Sequence, residues 1–262
     1  MSLQTIINDF IADAPPGELQ EVTNNIKAIV DEPIKHELAA ALETYNARGN
    51  VVLLNGKATI ISQHTQSSTQ KYVDFSTGKQ FNVDVHTMQA IDVEDFDTDY
   101  RTADYELLEG KLATYLAQHY PSEAAFTVVP PGFGGEAYTI IINGWKHNPA
   151  NFYNGSWCSL YTFDGSALRD IDVKLDIHYY EDGNVRLKSH LEPEAVSVGL
   201  QGVVTAISKV ENDVELEIIT KVNGLNETVF KNLRRLLPIT RAKIQWGKAM
   251  GNYKLGKDVV NE

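Results

Sequence analysis

From Ile171 to Tyr179 the chain alternates without a break. Ile171, Val173, Leu175, Ile177 and Tyr179 are apolar or aromatic, and Asp172, Lys174, Asp176 and His178 between them are polar. A period of two puts each set on one face of a β-strand, so the segment predicts a strand with one buried and one wet face. Its neighbours extend the pattern. Strand-like runs at 125–129, 136–145 and 157–163 precede it, joined by the Pro/Gly stretch 130–135 and the polar stretch 147–156. After it, Glu181-Asp182-Gly183-Asn184 turns the chain into the run 185–191. Five consecutive strands with short connections predict a five-stranded antiparallel meander, whose apolar face needs a cover.

Residues 193–230 supply that cover. Val196, Leu200, Val203, Val204, Ile207, Val210, Val214 and Ile218 recur every three or four residues behind Glu192-Pro193-Glu194. That is the stripe of one long amphipathic helix, about seven turns of it. Its β-branched content competes, since Val214, Leu216 and Ile218 also alternate as a strand would; the length of the stripe favours helix. Asn223-Gly224 is expected to interrupt the helix, with helical spacing resuming from Leu225 until Pro238.

The N-terminal half is built from smaller pieces. Residues 1–50 predict a bundle of three short helices. The first carries Leu3, Ile6, Ile7, Phe10 and Ile11, and Pro15-Pro16-Gly17 ends it. The second carries Leu19, Val22, Ile26, Ile29 and Val30; the third opens near Pro33, carries Leu38, Leu42 and Tyr45, and closes at Gly49. None is long enough to stand alone, so they must pack on something. Residues 51–122 hold small β hairpins, an acidic connector and a helix. Asn55-Gly56 between VVLL and KATII suits a type I′ turn, and Ser76-Thr77-Gly78 repeats the arrangement. The stretch 92–109 carries eight acids and reads as a solvated connector; helical spacing returns over 103–119 with Leu107, Leu108, Leu112, Tyr115 and Leu116. The fold class expected is α+β, with five segments at 1–50, 51–122, 123–192, 193–230 and 231–262.

The last segment differs in charge from all the others. Residues 1–230 hold 15 Lys+Arg against 33 Asp+Glu, a net of −18, while 231–262 hold 8 against 2, a net of +6. Ile239, Ala242, Trp246 and Met250 share one helical stripe there, and Arg241, Gln245 and Lys248 share another. A helix in this arm is apolar on one side and basic on the other, so the apolar side docks the arm and the cations meet an acidic surface. A protein surface and a phosphoinositide membrane both qualify. Nucleic acid is disfavoured, because a body at −18 repels a polyanion beyond the arm.

No catalytic residue, metal set or cofactor site is expected. Gly132-Phe133-Gly134-Gly135 lacks the Gly-Lys-Ser/Thr ending of a phosphate loop and precedes a strand. The seven histidines show no metal spacing, and Ser156, Cys158 and Ser159 have no nucleophile-elbow context. The single cysteine, Cys158, rules out an internal disulfide framework and fits a reducing compartment. No apolar run approaches the ~18 residues of a membrane span, and the N-terminal residues lack the pattern of a signal peptide. A soluble cytosolic protein is expected. Residues 151–159 (NFYNGSWCS) pack two asparagines and aromatics around a glycine, which suits a rigid turn with Asn side chains bonding the backbone.

Three stretches together resemble the alpha subunit family of F-actin capping proteins: LRRLLPITRAKIQWGKAMGNYKLGK at 233–257, NFYNGSWCS at 151–159 and APPGE at 14–18. The signature turn of that family falls on Asn151, Phe152, Asn154, Gly155 and Trp157. Ser156 and Cys158 stand where many relatives carry arginine or another bulky polar residue. The resemblance implies a heterodimer with a β subunit of similar fold, the long helices lying antiparallel over a sheet continued across the interface. It implies a capper of the actin filament barbed end that blocks subunit addition and loss. Lys231, Arg234, Arg235, Arg241, Lys243 and Lys248 are then the actin-binding residues. It further implies phosphoinositide binding at the same basic surface, binding of capping-protein regulators, and a place in the cytoplasm at the actin cytoskeleton of the cell cortex. The alternative reading is a basic-tailed, phosphoinositide-binding regulatory protein in which actin plays no part.

Overall fold

A computed structural model of the chain describes residues 2–30, 33–67, 69–84, 87–96, 99–120, 123–181, 184–225 and 227–228. The basic arm at 231–262, with every actin-binding and arm-docking residue expected there, lies outside the described residues.

The N-terminal bundle forms as the pattern predicts: α1 (Leu3–Ala12), α2 (Leu19–Ile29) and α3 (Lys35–Asn46). The Ser2 hydroxyl caps α1 by accepting from the Thr5 amide at 3.2 Å. Pro33 precedes the N-cap Ile34 rather than standing inside the first turn. Ile7, Ile11, Ile26, Ile34, Leu38, Ala41 and Leu42 bury against one another in a core of their own.

Two hairpins follow. β1 (Asn50–Leu54) and β2 (Lys57–Ile61) are joined by Asn55 and Gly56, both at positive φ as a type I′ turn requires. β3 (Tyr72–Asp74) and β4 (Lys79–Asp84) form the second. The acidic connector is corrected by the structure, because its first part is a strand. β5 (Gln89–Asp95) pairs antiparallel with β4 and meets β1 in parallel at Leu53, giving the order β2-β1-β5-β4-β3. Its acids are answered across the ladder: Glu94 by Lys71 and Gln80, Asp95 by Lys79, Asp92 by Asn82. Ile91 and Val93 stay exposed, so β5 has no buried face for a period of two to reveal.

α4 (Ala103–His119), capped by Thr102, leads into the meander of β6 (Glu123–Val129), β7 (Tyr138–Asn148), β8 (Tyr153–Phe163), β9 (Ala167–Tyr179) and β10 (Val185–Leu191). Their order is β10-β9-β8-β7-β6, every neighbour antiparallel, as expected. The long helix begins later than its stripe suggests. Val196 and Ser197 form β11 on β9, pairing with Leu168 and Ala167, and a 3-10 turn at Leu200–Gly202 precedes α5 (Val203–Leu225). β10 covers β9 only from Val173 to Tyr179, so the open backbone beyond it takes up β11. At its other end α5 runs through Asn223-Gly224, which lie exposed while Val222 stays buried; an exposed helical glycine costs only about 1 kcal/mol.

Both faces of the large sheet are occupied. On one, Ile140, Ile142, Tyr161, Val173 and Ile177 pack with Leu108, Leu112 and Leu116 of α4 and with the α5 stripe, so two helices share the cover expected of one. The other face is not simply wet. Ile60 of the first hairpin buries with Ala125 and Ile141, and His178 is buried although it follows the polar alternation.

Candidate functional site

The rigid turn predicted over 151–159 is shorter than that stretch. Pro149–Asn151 make one 3-10 turn, and Phe152 follows at φ 56°, ψ 32°, a left-handed conformation uncommon outside glycine. Asn148 caps the turn by accepting from the Asn151 amide at 3.2 Å. The Phe152 carbonyl accepts from the Tyr180 amide at 2.9 Å, which fixes the strained residue to the adjoining chain. Asn154, Gly155 and Trp157 already belong to β8. Of the two asparagines in the stretch, Asn154 makes the expected bond to backbone, its Oδ1 accepting from the Asn148 amide at 3.2 Å; the other side-chain cap comes from Asn148, which precedes the motif. Trp157 is buried on the face covered by α5.

Strand register then lines up His147, Asn154, His178 and Arg186 across β7, β8, β9 and β10. The segment 13–18, between α1 and α2, rests on this row. Glu18 places Oε1 3.2 Å from Asn154 Nδ2 and 2.5 Å from His178 Nδ1, and the other ring nitrogen of His178 faces Asn184 Oδ1 at 2.8 Å. Gly17 sits at φ +76°, and a Cβ there would lie 2.7 Å from the His147 ring. Arg186 grips Asp176 with two nitrogens, at 2.8 and 2.5 Å, and donates to the carbonyls of Asp13 and Ala14. The Lys188 ammonium, bonded to the Asp13 side chain, holds that carboxyl below the usual range, and burial pushes the His147 imidazole down. The stretches 14–18 and 151–159 are thus two halves of one fastening, which fixes the helical bundle to the sheet.

Beside it a cleft of about 1050 Å³ separates the bundle and first hairpin from the sheet, with Tyr45, Arg48, Trp145, Cys158 and Lys174 among its walls. Burial pushes the Cys158 thiol up to about 11, which denies it nucleophile character at neutral pH. Among the described residues no group of three His, Cys, Asp or Glu side chains could hold a metal ion.

One polar residue escaped the sequence reading altogether. Glu211 lies on the apolar stripe of α5, four residues past Ile207 and three before Val214, and it is fully buried. Its Oε2 accepts from the Tyr115 hydroxyl at 2.5 Å; Oε1 accepts from Tyr120 at 2.7 Å and from Ser159 and Tyr161 at 3.2 Å each. Burial first, and the adjacent carboxylate second, raise the pKa of all three tyrosines. The helical spacing alone could have exposed it, since an acid at that phase of the stripe needs partners.

Comparison with known proteins agrees along the whole chain. The family model described as F-actin capping protein alpha subunit matches residues 7–258. The F-actin-capping protein subunit alpha of Debaryomyces hansenii is 42% identical over 266 residues, spanning 100% of this chain and 98% of that relative. That of Yarrowia lipolytica is 41% identical over 264 residues, spanning 98% and 96%. Among solved structures, the homodimeric actin capping protein alpha subunit from Plasmodium berghei aligns with a TM-score of 0.70 at 20% identity, covering 91% of this chain and 98% of that one, and shares the fold. The chain belongs to the F-actin capping protein alpha subunit family.

Proposed function

We propose that the chain is the alpha subunit of a heterodimeric capper that binds the barbed end of actin filaments and blocks subunit addition and loss. The observation that carries this is a family match running from residue 7 to residue 258, through the charge-reversed arm as well as the body. Actin presents an acidic surface, and a segment at net +6 on a body at −18 is suited to one directed acidic contact. Lys231, Arg234, Arg235, Arg241, Lys243 and Lys248 are the proposed contacts, with Ile239, Ala242, Trp246 and Met250 docking the arm. The partner is a β subunit of similar fold, and the five segments from 1–50 to 231–262 work as one heterodimerising unit. The same basic surface is proposed to bind phosphoinositides and regulators of capping, in the cytoplasm at the cortical actin cytoskeleton. The role is one of binding rather than catalysis, in keeping with a Cys158 thiol held protonated.

Seeded elongation of pyrene-labelled actin tests this. With the β subunit present, barbed-end growth is expected to stop at nanomolar dimer. Undiminished elongation at micromolar dimer rejects the reading, and binding to phosphoinositide vesicles with no effect on actin replaces it with the membrane alternative.

A further inference from the structure

The stripe that seats α5 on the sheet is almost a copy of itself. Val203, Ile207, Val210, Val214, Ile218 and Val222 are its buried apolar members. Moving the helix along its axis by one turn, four residues, exchanges Val203 with Ile207, Val210 with Val214, Val214 with Ile218 and Ile218 with Val222. Each exchange trades one β-branched side chain for another of nearly equal volume, which packed cores tolerate well. Apolar packing alone therefore distinguishes poorly between positions one turn apart, a displacement that helices at packed interfaces do make.

Glu211 breaks the repeat. Its carboxylate is fully buried and meets four hydroxyls, from Tyr115 on α4, Tyr120 just beyond it, and Ser159 and Tyr161 on β8. A slide in one direction carries Ile207 into this box and leaves four hydroxyls facing a hydrocarbon. A slide in the other brings Glu215 into the box but forces Glu211 into the site of Ile207, which is also fully buried. Either way buried polar groups lose their partners, the outcome that packed interiors tolerate least. From this geometry we infer that Glu211 fixes the register of α5 on the sheet, as single buried polar residues do in helical assemblies. The consequence for function rests on the capping reading: α5 leads toward the basic arm, so Glu211 sets where the arm leaves the body.

The test measures helix position directly, in the full chain co-expressed with a β subunit and with Cys158 replaced by Ala. A nitroxide at Leu216→Cys, an exposed site on α5, is paired first with one at Ala113→Cys on α4 and then with one at Lys174→Cys on β9, both exposed. Double electron–electron resonance is expected to give one narrow distance distribution for each pair. Glu211→Gln, which keeps an acceptor oxygen, should preserve both. Glu211→Leu should add a second population, displaced along the helix by about 6 Å, four residues at about 1.5 Å each. If the leucine variant does not fold, Tyr115→Phe combined with Tyr120→Phe keeps the volume, weakens the box and should show the same second population. Single unshifted distributions in the leucine variant, or in the double phenylalanine variant where that stands in for it, overturn the inference. Wild-type protein that fails to cap filaments removes the functional consequence and leaves the register result standing.

Discussion

The side-chain amide of Asn154 donates to the carboxylate of Glu18 across 3.2 Å, joining residues 136 positions apart in sequence. Glu18 ends one characteristic stretch of the chain and Asn154 stands in the middle of another. The same Glu18 oxygen also bonds His178, which is 6% exposed, so a single carboxylate gathers α2, β8 and β9. The contact explains why a segment with two prolines and a glycine precedes α2. Pro15 and Pro16 stop α1, Gly17 lets the backbone close on His147, and Glu18 arrives over the row of polar side chains on the sheet.

Removing that carboxylate should loosen the bundle. Glu18→Ala leaves the His178 ring and the Asn154 amide buried without their acceptor, a loss of about 2 kcal/mol for a charge-assisted pair of bonds. The urea midpoint should fall with little change in m-value. An unchanged midpoint would show that the bundle is held by its apolar contacts and that the row is incidental.

Two glycines at similar φ separate backbone strain from docking. Gly17 is at φ +76° against His147, while Gly56, at φ +81° in the hairpin turn, has nothing within 4 Å of the point a Cβ would occupy. Gly56→Ala should cost roughly 1 kcal/mol, the left-handed penalty alone. Gly17→Ala carries that penalty and a clash with an imidazole wedged under the chain, and should cost about 2–3 kcal/mol. Equal losses in thermal unfolding would mean that the 13–18 segment lifts off the sheet freely.

How much of this was visible in the residues depends on which interactions set each element. The meander was legible because residues 171–179 of β9 alternate apolar and polar types and each of its neighbours keeps a similar pattern. The Asn55-Gly56 hairpin was legible because the turn needs two positive φ values in succession. β5 was hidden, since its partners are charges on other strands and neither of its faces is buried. The start of α5 was misplaced because Val196 and Leu200 satisfy helical spacing, while the open edge of β9 beyond β10 captures the first of them as β11. The fastening row was out of reach for a different reason. His147, Asn154, His178 and Arg186 become neighbours only through strand register, which the order of residues along the chain does not contain.

Alkaline pH should destabilise the fold through groups that burial keeps protonated. Cys158 is raised from 9.0 to about 11, and Tyr115, Tyr120 and Tyr161 are all raised above 10.0. A raised folded-state pKa means that the unfolded chain loses its proton first. The stability these groups contribute is complete below pH 9 and is lost as pH climbs from about 9 toward 11 and beyond. Urea midpoints at pH 8, 9.5 and 10.5 should therefore fall in that order. Tyrosinate absorbance at 295 nm should show a fraction of tyrosines that ionise only as the protein unfolds. Smooth titration of every tyrosine in the native state would contradict the buried box around Glu211.

The arm invites the most direct test of the proposed contact. Arg235→Glu with Arg241→Glu changes the net charge of 231–262 from +6 to +2 and leaves its apolar stripe intact. Rim charges act mainly on encounter, so association with barbed ends should slow by about tenfold or more at low salt and the difference should shrink as salt screens it. Dissociation should change less. Truncation after Leu237 removes the docking stripe as well, yet among the described residues the buried contacts of the sheet, α4 and α5 run up to Val222, all of them kept in the shortened chain, which should still fold and pair with the β subunit. The two variants then divide the arm's roles: slow association with normal residence for charge reversal, and short residence for truncation. Wild-type association by the charge-reversed pair would remove the electrostatic argument, and insoluble truncated protein would place the arm inside the folding unit.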